Sequence, residues 1–148
     1  MIGRFETFTF ALSELSAYWN KIASDELKPL GLKGGYILYL IALYKHEDGL
    51  TATQLCDMCS RDKAEVSRAV SAMISKGLVD RVNTTVNGYR ANITLTDYGR
   101  EITFALRERV KLAVEKGGAG LTDMQRESFY SAMETISGNL KNIIREGL

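Results

Sequence analysis

The feature that most constrains this chain is a change of period near its middle. From residue 51 to 77 the apolar residues recur every three or four positions, and from 78 to 95 they alternate. The first spacing makes one face of a helix and the second makes one face of a strand, so helices must give way to a strand pair inside one short stretch.

Thr51-Ala52-Thr53-Gln54 has the form of a capping box, in which the Thr hydroxyl and the Gln side chain each satisfy the other's backbone N–H. A short helix follows, with Leu55, Cys56 and Cys59 expected inward. Asp62-Lys63-Ala64-Glu65 repeats the box with an Asp cap. It opens a second helix with an expected inner face of Val66, Val70, Met73 and Ile74, which Gly77 stops. Two short helices joined by about three residues make a helix-turn-helix. Leu78–Val82 then reads as a strand, and Tyr89, Ala91, Ile93 and Leu95 line one face of a second. Asn87-Gly88 between them is the strongest two-residue hairpin signal, because a type I′ turn needs φ > 0 at both centres. That turn sets Val82 opposite Ile93. It also sets Asp80 opposite Leu95, a poor pair at which the ladder is expected to bend or end.

Helices flank this unit on both sides. Phe5, Phe8, Leu12, Leu15, Trp19 and Ile22 alternate spacings of three and four, which makes a sustained seam closed before Pro29. Tyr36–Tyr44 is apolar throughout and predicts a buried helix, since Leu, Ala and Tyr outnumber β-branched residues. Thr96 caps a helix to about Lys116, with Ile102, Leu106, Val110 and Ala113 expected on one face. Lys116-Gly117-Gly118-Ala119-Gly120 ends it in a turn. Thr122-Asp123-Met124-Gln125 caps a last helix carrying Phe129, Met133, Ile136, Leu140 and Ile143. The fold class is therefore mainly α (α+β): a winged helix-turn-helix with a two-stranded wing and long N- and C-terminal helices. We expect a single domain over 1–148, with a winged-helix lobe at 32–100 and a helical region at 1–31 and 101–148.

Composition excludes several function classes. At 45% apolar residues the chain holds enough material for a packed core, so disorder is excluded. The longest apolar run, Tyr36–Tyr44, is about half of a membrane span, so no membrane association is expected. Two Cys only three apart do not staple a secreted domain, which points to a reducing cytoplasm. One His and no Cys/His cluster point to no metal and no cofactor. No nucleophile–base constellation or phosphate loop suggests an enzyme.

The motifs resemble the MarR family of bacterial transcription regulators. The residues that carry the resemblance are Leu50-Thr51, Asp62-Lys63 with Val66-Ser67-Arg68, Lys76-Gly77-Leu78-Val79, and Leu95-Thr96 with Gly99. It covers roughly residues 30–145. The resemblance implies a homodimer whose terminal helices intertwine, a pseudo-palindromic double-stranded DNA operator, and release by a small molecule or by oxidation. It also implies an effector pocket between the first, second and fifth helices, where Tyr18, Trp19 and Tyr39 would meet a small aromatic effector. Two departures are plain. The family's wing usually carries Asp-x-Arg where this chain has Asn87-Gly88-Tyr89-Arg90, and Arg61 stands where an apolar residue is usual.

The residues themselves fit DNA recognition. With Val66, Val70 and Met73 inward, the second helix presents Lys63, Ala64, Glu65, Ser67, Arg68 and Ser71, small residues around one long central donor. Arg68 suits guanine or phosphate, and Ser67 and Ser71 suit phosphate or a groove edge. Glu65 either accepts from a cytosine amino group or caps its own helix. Arg90, beside Asn87 and Gly88, either enters the minor groove or is an ordinary strand residue, with Arg81 as the second wing contact. The net charge of +1 conceals a gradient, because residues 61–100 hold seven basic and four acidic side chains.

The two terminal seams exceed what a winged helix needs for its own core. Phe5, Phe8, Leu12, Leu15, Phe129, Met133, Ile136, Leu140 and Ile143 are therefore expected at a dimer interface. The function expected is a dimeric DNA-binding repressor. The alternatives are a winged helix used for protein–protein contact without DNA, and a thiol-based redox regulator using Cys56-Asp57-Met58-Cys59. Against the last stands the inertness usual for buried Cys.

Overall fold

The computed structural model describes residues 3–83 and 91–148. Among them the order is α1 (Arg4–Leu27), α2 (Ile37–Tyr44), α3 (Ala52–Cys59), α4 (Lys63–Ser75), β1 (Val79–Asn83), β2 (Ala91–Leu95), α5 (Asp97–Gly117) and α6 (Asp123–Glu146). A 3₁₀ turn at Lys28–Leu30, with Pro29 inside it, follows α1, and a second at Gly34–Tyr36 leads into α2. The mainly helical winged helix-turn-helix expected from the sequence is the fold observed.

Two compact units are present, Met1–Glu108 and Arg109–Leu148. In the first, the core is built from Leu40 and Leu43 of α2, Leu55 of α3, Val66, Val70 and Met73 of α4, and Leu78, Val79 and Ile93 of the wing base. The caps at Thr51 and Asp62 both form, but only the first closes as a full box. Thr51 and Gln54 make a complete capping box at 3.2 and 2.9 Å, and Asp62 Oδ1 accepts from the Glu65 N–H at 2.8 Å. Gly77 takes φ +75°, a left-handed conformation open to Gly without a Cβ penalty, and turns the chain from α4 into β1. Tyr44, at the end of α2, lies under the guanidinium groups of Arg100 and Arg107 at 5.2 and 4.4 Å, which ties α2 to α5.

Four expectations about burial are corrected. Ile74 is exposed and Ala69 is buried, so the inner stripe of α4 is Val66, Ala69, Val70 and Met73. That stripe is centred on positions 66, 70 and 73, and Ile74 lies just past its edge. In α3, Cys59 is buried but Cys56 only half-buried. In α5 the buried face is Gly99, Thr103 and Leu106, while Ile102, Val110 and Ala113 are half-buried. Leu38 of α2 is exposed, so that helix is not covered on all sides.

The wing register is also corrected. Val79 pairs with Leu95, Asp80 with Thr94, Arg81 with Ile93 and Val82 with Asn92, one residue away from the Val82–Ile93 pairing expected. A one-residue slip exchanges faces, so the buried face selects the register. The observed one sets Val79 opposite Leu95 and removes the unfavourable Asp80–Leu95 pair. It is locked from the other edge by Leu50, whose backbone exchanges hydrogen bonds with Ile93 at 3.0 and 2.8 Å. The Asn87–Gly88 turn lies outside the described residues.

In the second unit the chain turns through Gly120, at φ +92°. The Thr122–Gln125 capping box then opens α6 with bonds of 2.9 and 3.1 Å. Arg126 Nη2 donates to the Gly118 carbonyl at 3.0 Å and fastens the start of α6 to that turn. No residue of α6 is buried.

Candidate nucleic-acid interface

The recognition surface begins at the turn between α3 and α4. Ser60 adopts φ 53°, which ends α3 and lets Asp62 cap α4 two residues later. With Val66, Ala69, Val70 and Met73 buried, α4 turns Lys63, Ala64, Glu65, Ser67, Arg68 and Ser71 to solvent, all of them exposed. All six α4 residues expected to face DNA therefore share one uncovered face. Arg68 is the long donor at its centre, and among the described residues neither it nor Lys63 makes an ion pair.

Glu65 resolves one open choice. Its backbone N–H is taken by Asp62, but its carboxylate does not complete a capping box. Instead Glu65 Oε2 lies 3.7 Å from Arg61 Nε. Arg61, absent from the residues expected at the site, is held in turn by the Cys59 and Ser60 carbonyls. The spacing of four between Arg61 and Glu65 is the one signal in the sequence that could have found this pair.

The wing base is anchored through β2, and Arg81 of β1 is exposed. The Asn92 side chain donates to the Asp48 carbonyl at 2.9 Å, which fixes β2 to the loop after α2. Asn87, Gly88 and Arg90 lie outside the described residues.

The remaining candidates are dispersed. Phe5, Phe8, Leu12 and Leu15 are exposed along α1, and Phe129, Met133, Ile136, Leu140 and Ile143 along α6. Of the expected effector contacts, Tyr39 is buried in the core with its ring 6.0 Å from that of Tyr36. Trp19 is exposed, and exposed Tyr18 donates its hydroxyl to Glu14 on the same helix. Burial pushes the Tyr39 hydroxyl and the Cys59 thiol above their ordinary pKa values, with the Arg61 charge pulling each of them back in part. A raised thiol pKa disfavours the thiolate that peroxide chemistry needs. Among the described residues no group of acidic, His and Cys side chains is arranged to hold a metal, and no helix is long and apolar enough to cross a membrane.

A helix-turn-helix that exposes a small-residue, basic face beside a two-stranded wing defines the winged-helix class of DNA-binding proteins. The model of the MarR family matches residues 30–87. The uncharacterized HTH-type transcriptional regulator YybA of Bacillus subtilis (strain 168) is 22% identical over 122 residues, covering 82% of this chain and 81% of YybA. Among solved structures, a MarR protein from Peptoclostridium difficile DA00132 is 24% identical, with a TM-score of 0.86 over 96% of this chain and 94% of its own. A MarR family regulator from Listeria monocytogenes, solved in complex with a 26mer DNA, is 18% identical, with a TM-score of 0.85 over 94% of each chain. Over residues 30–87 the chain thus resembles the MarR family, and the relative it matches along most of its length is named a transcriptional regulator.

Proposed function

We propose that this regulator is a repressor that binds a pseudo-palindromic double-stranded operator as a homodimer and leaves it when a small-molecule effector binds. The observation that carries this reading is the outward face of α4. It offers six uncovered side chains from Lys63 to Ser71, with a buried stripe behind them holding the helix rigid. Small residues let a helix backbone approach base edges, and Arg68 reaches guanine or phosphate from the centre. In the same reading Arg81, Asn87, Gly88 and Arg90 form the wing contacts, so that residues 32–100 are the DNA-binding lobe. The complex of the Listeria relative with a 26mer DNA supports the assignment of duplex DNA as partner.

Residues 1–31 and 101–148 form the dimerisation region in this reading. Phe5, Phe8, Leu12 and Leu15 on α1, and Phe129, Met133, Ile136, Leu140 and Ile143 on α6, leave two apolar seams in water that a second copy would cover. Tyr18, Trp19 and Tyr39 supply the aromatic contacts of the effector. In this reading the protein works in the cytoplasm, where a regulator of this kind meets its DNA.

In vitro selection of bound duplexes tests the reading. It expects two related half-sites about 10 bp apart, or a multiple of that, and binding that falls steeply with salt. A pool without enrichment, or a salt-independent isotherm, overturns it.

A further inference from the structure

The Arg61 guanidinium joins the two helices of the helix-turn-helix. Its Nη1 donates to the Cys59 carbonyl at 3.3 Å and to the Ser60 carbonyl at 3.1 Å. These lie at the C-terminal end of α3, where a cation is favoured by the helix dipole. Its Nε faces Glu65 Oε2 at 3.7 Å. Glu65 stands in the first turn of α4, the part of a recognition helix that meets base edges, and its carboxylate has no duty to its own helix because Asp62 caps that end.

We propose that Glu65 reads a cytosine through its exocyclic amino group and that Arg61 is the positioning residue holding the carboxylate for that contact. The proposal rests on the DNA-binding reading above. A carboxylate only accepts hydrogen bonds, and phosphates repel it, so in a DNA groove it needs both an amino donor ahead and a cation behind. Arg61 supplies the cation. Cytosine supplies the donor best, since its N4 amino group is its one polar major-groove feature. The adenine amino group, by contrast, lies between the acceptors N7 of adenine and O4 of the paired thymine. Guanine and thymine would face Glu65 with acceptors and be rejected. At 40% and 46% side-chain exposure the ion pair itself adds little stability. Its effect is to fix where the carboxylate points.

The test is in vitro selection from random duplexes with the full chain as wild type, Glu65→Gln, Glu65→Ala, Arg61→Ala and Arg61→Lys, followed by affinity titrations. The wild-type pool carries cytosine at one position of each half-site, and replacing it with thymine weakens binding about tenfold. Glu65→Gln moves that position toward adenine, which a carboxamide pairs with. Glu65→Ala abolishes preference there while the other positions of the half-site keep theirs. Arg61→Ala blurs the cytosine preference, and Arg61→Lys, which keeps a cation within reach of Glu65, restores most of it. An unchanged base preference in both Glu65 variants overturns the proposal, as does a uniform loss of affinity on every sequence. A wild-type pool with no enrichment removes the DNA-binding reading along with it.

Discussion

The Thr96 hydroxyl donates to the Gly77 carbonyl at 2.6 Å and accepts from the Gly99 N–H at 2.9 Å. One side chain thus ties the end of the recognition helix to the start of α5, across the base of the wing. The Thr96 N–H also donates to the Leu78 carbonyl at 3.0 Å. Replacing Thr96 with Val removes a helix cap and leaves the Gly77 carbonyl without this donor. We expect a loss of about 1–2 kcal/mol in urea unfolding. Thr96→Ser, which keeps the hydroxyl, should unfold close to the wild type. Equal midpoints for Val and wild type would show that this tie carries no stability.

Gly99 stands where α5 passes the Leu78 carbonyl, and a Cβ there would run into that oxygen. Gly99→Ala should therefore destabilise the fold by roughly 1–3 kcal/mol through overpacking against backbone that has no room to move. Thermal unfolding followed by far-UV circular dichroism measures this, and an unshifted midpoint would contradict the close approach.

Arg68 is exposed at the centre of the α4 face. Arg68→Ala should weaken binding to the selected DNA by about 1–3 kcal/mol while leaving the unfolding midpoint unchanged. Gel-shift titration reads the affinity, and an unaltered dissociation constant removes Arg68 from the reading surface.

Leu140 is exposed on the apolar seam of α6. In the proposed dimer Leu140→Glu places an unpaired charge inside the interface and should shift the protein to monomer in light scattering at micromolar concentration. A dimer that survives the change moves the interface elsewhere.

The buried Cys59 thiol has its pKa raised in the fold, chiefly by desolvation. A group whose folded pKa exceeds its unfolded one stabilises the fold below the unfolded value, and that contribution is lost as pH rises through the folded value. The ordinary value is 9.0, so stability should hold from neutral pH to about 9 and decline above it. The buried Tyr39 hydroxyl acts in the same sense from 10.0 upward. Urea midpoints measured across this range check the sign, and a rise in stability above pH 9 would contradict it. The same protonated thiol predicts that Cys59→Ser leaves DNA binding after peroxide treatment as it is in the wild type.

Much of the fold was legible because its signals are local. The Thr51–Gln54 and Thr122–Gln125 boxes, the Asp62 cap, the Gly77 stop and the Thr96 start each involve residues within four positions of one another. Backbone geometry over one turn decides them, and tertiary packing leaves them in place. The exposed face of α4 followed equally directly from the spacing of its apolar residues. The form of a capping box at Asp62–Glu65 misled in one respect. Such a box is decided by the third side chain's choice of partner, and here the Glu65 carboxylate lies beside the Arg61 guanidinium instead of closing on the Asp62 N–H.

The sequence by itself determined the order of the elements, the period that makes α4 a helix with one polar face, and the winged architecture. Those follow from residues that meet along a single helix or strand. Only the tertiary structure decided the wing register, because Leu50 clamps Ile93 from outside the hairpin and a one-residue slip would exchange the buried and exposed faces. It likewise decided that Ala69 and not Ile74 is buried, and that Arg61 reaches across the turn to hold Glu65. Each of those outcomes depends on what another element places beside the residue, and spacing along the chain does not encode that.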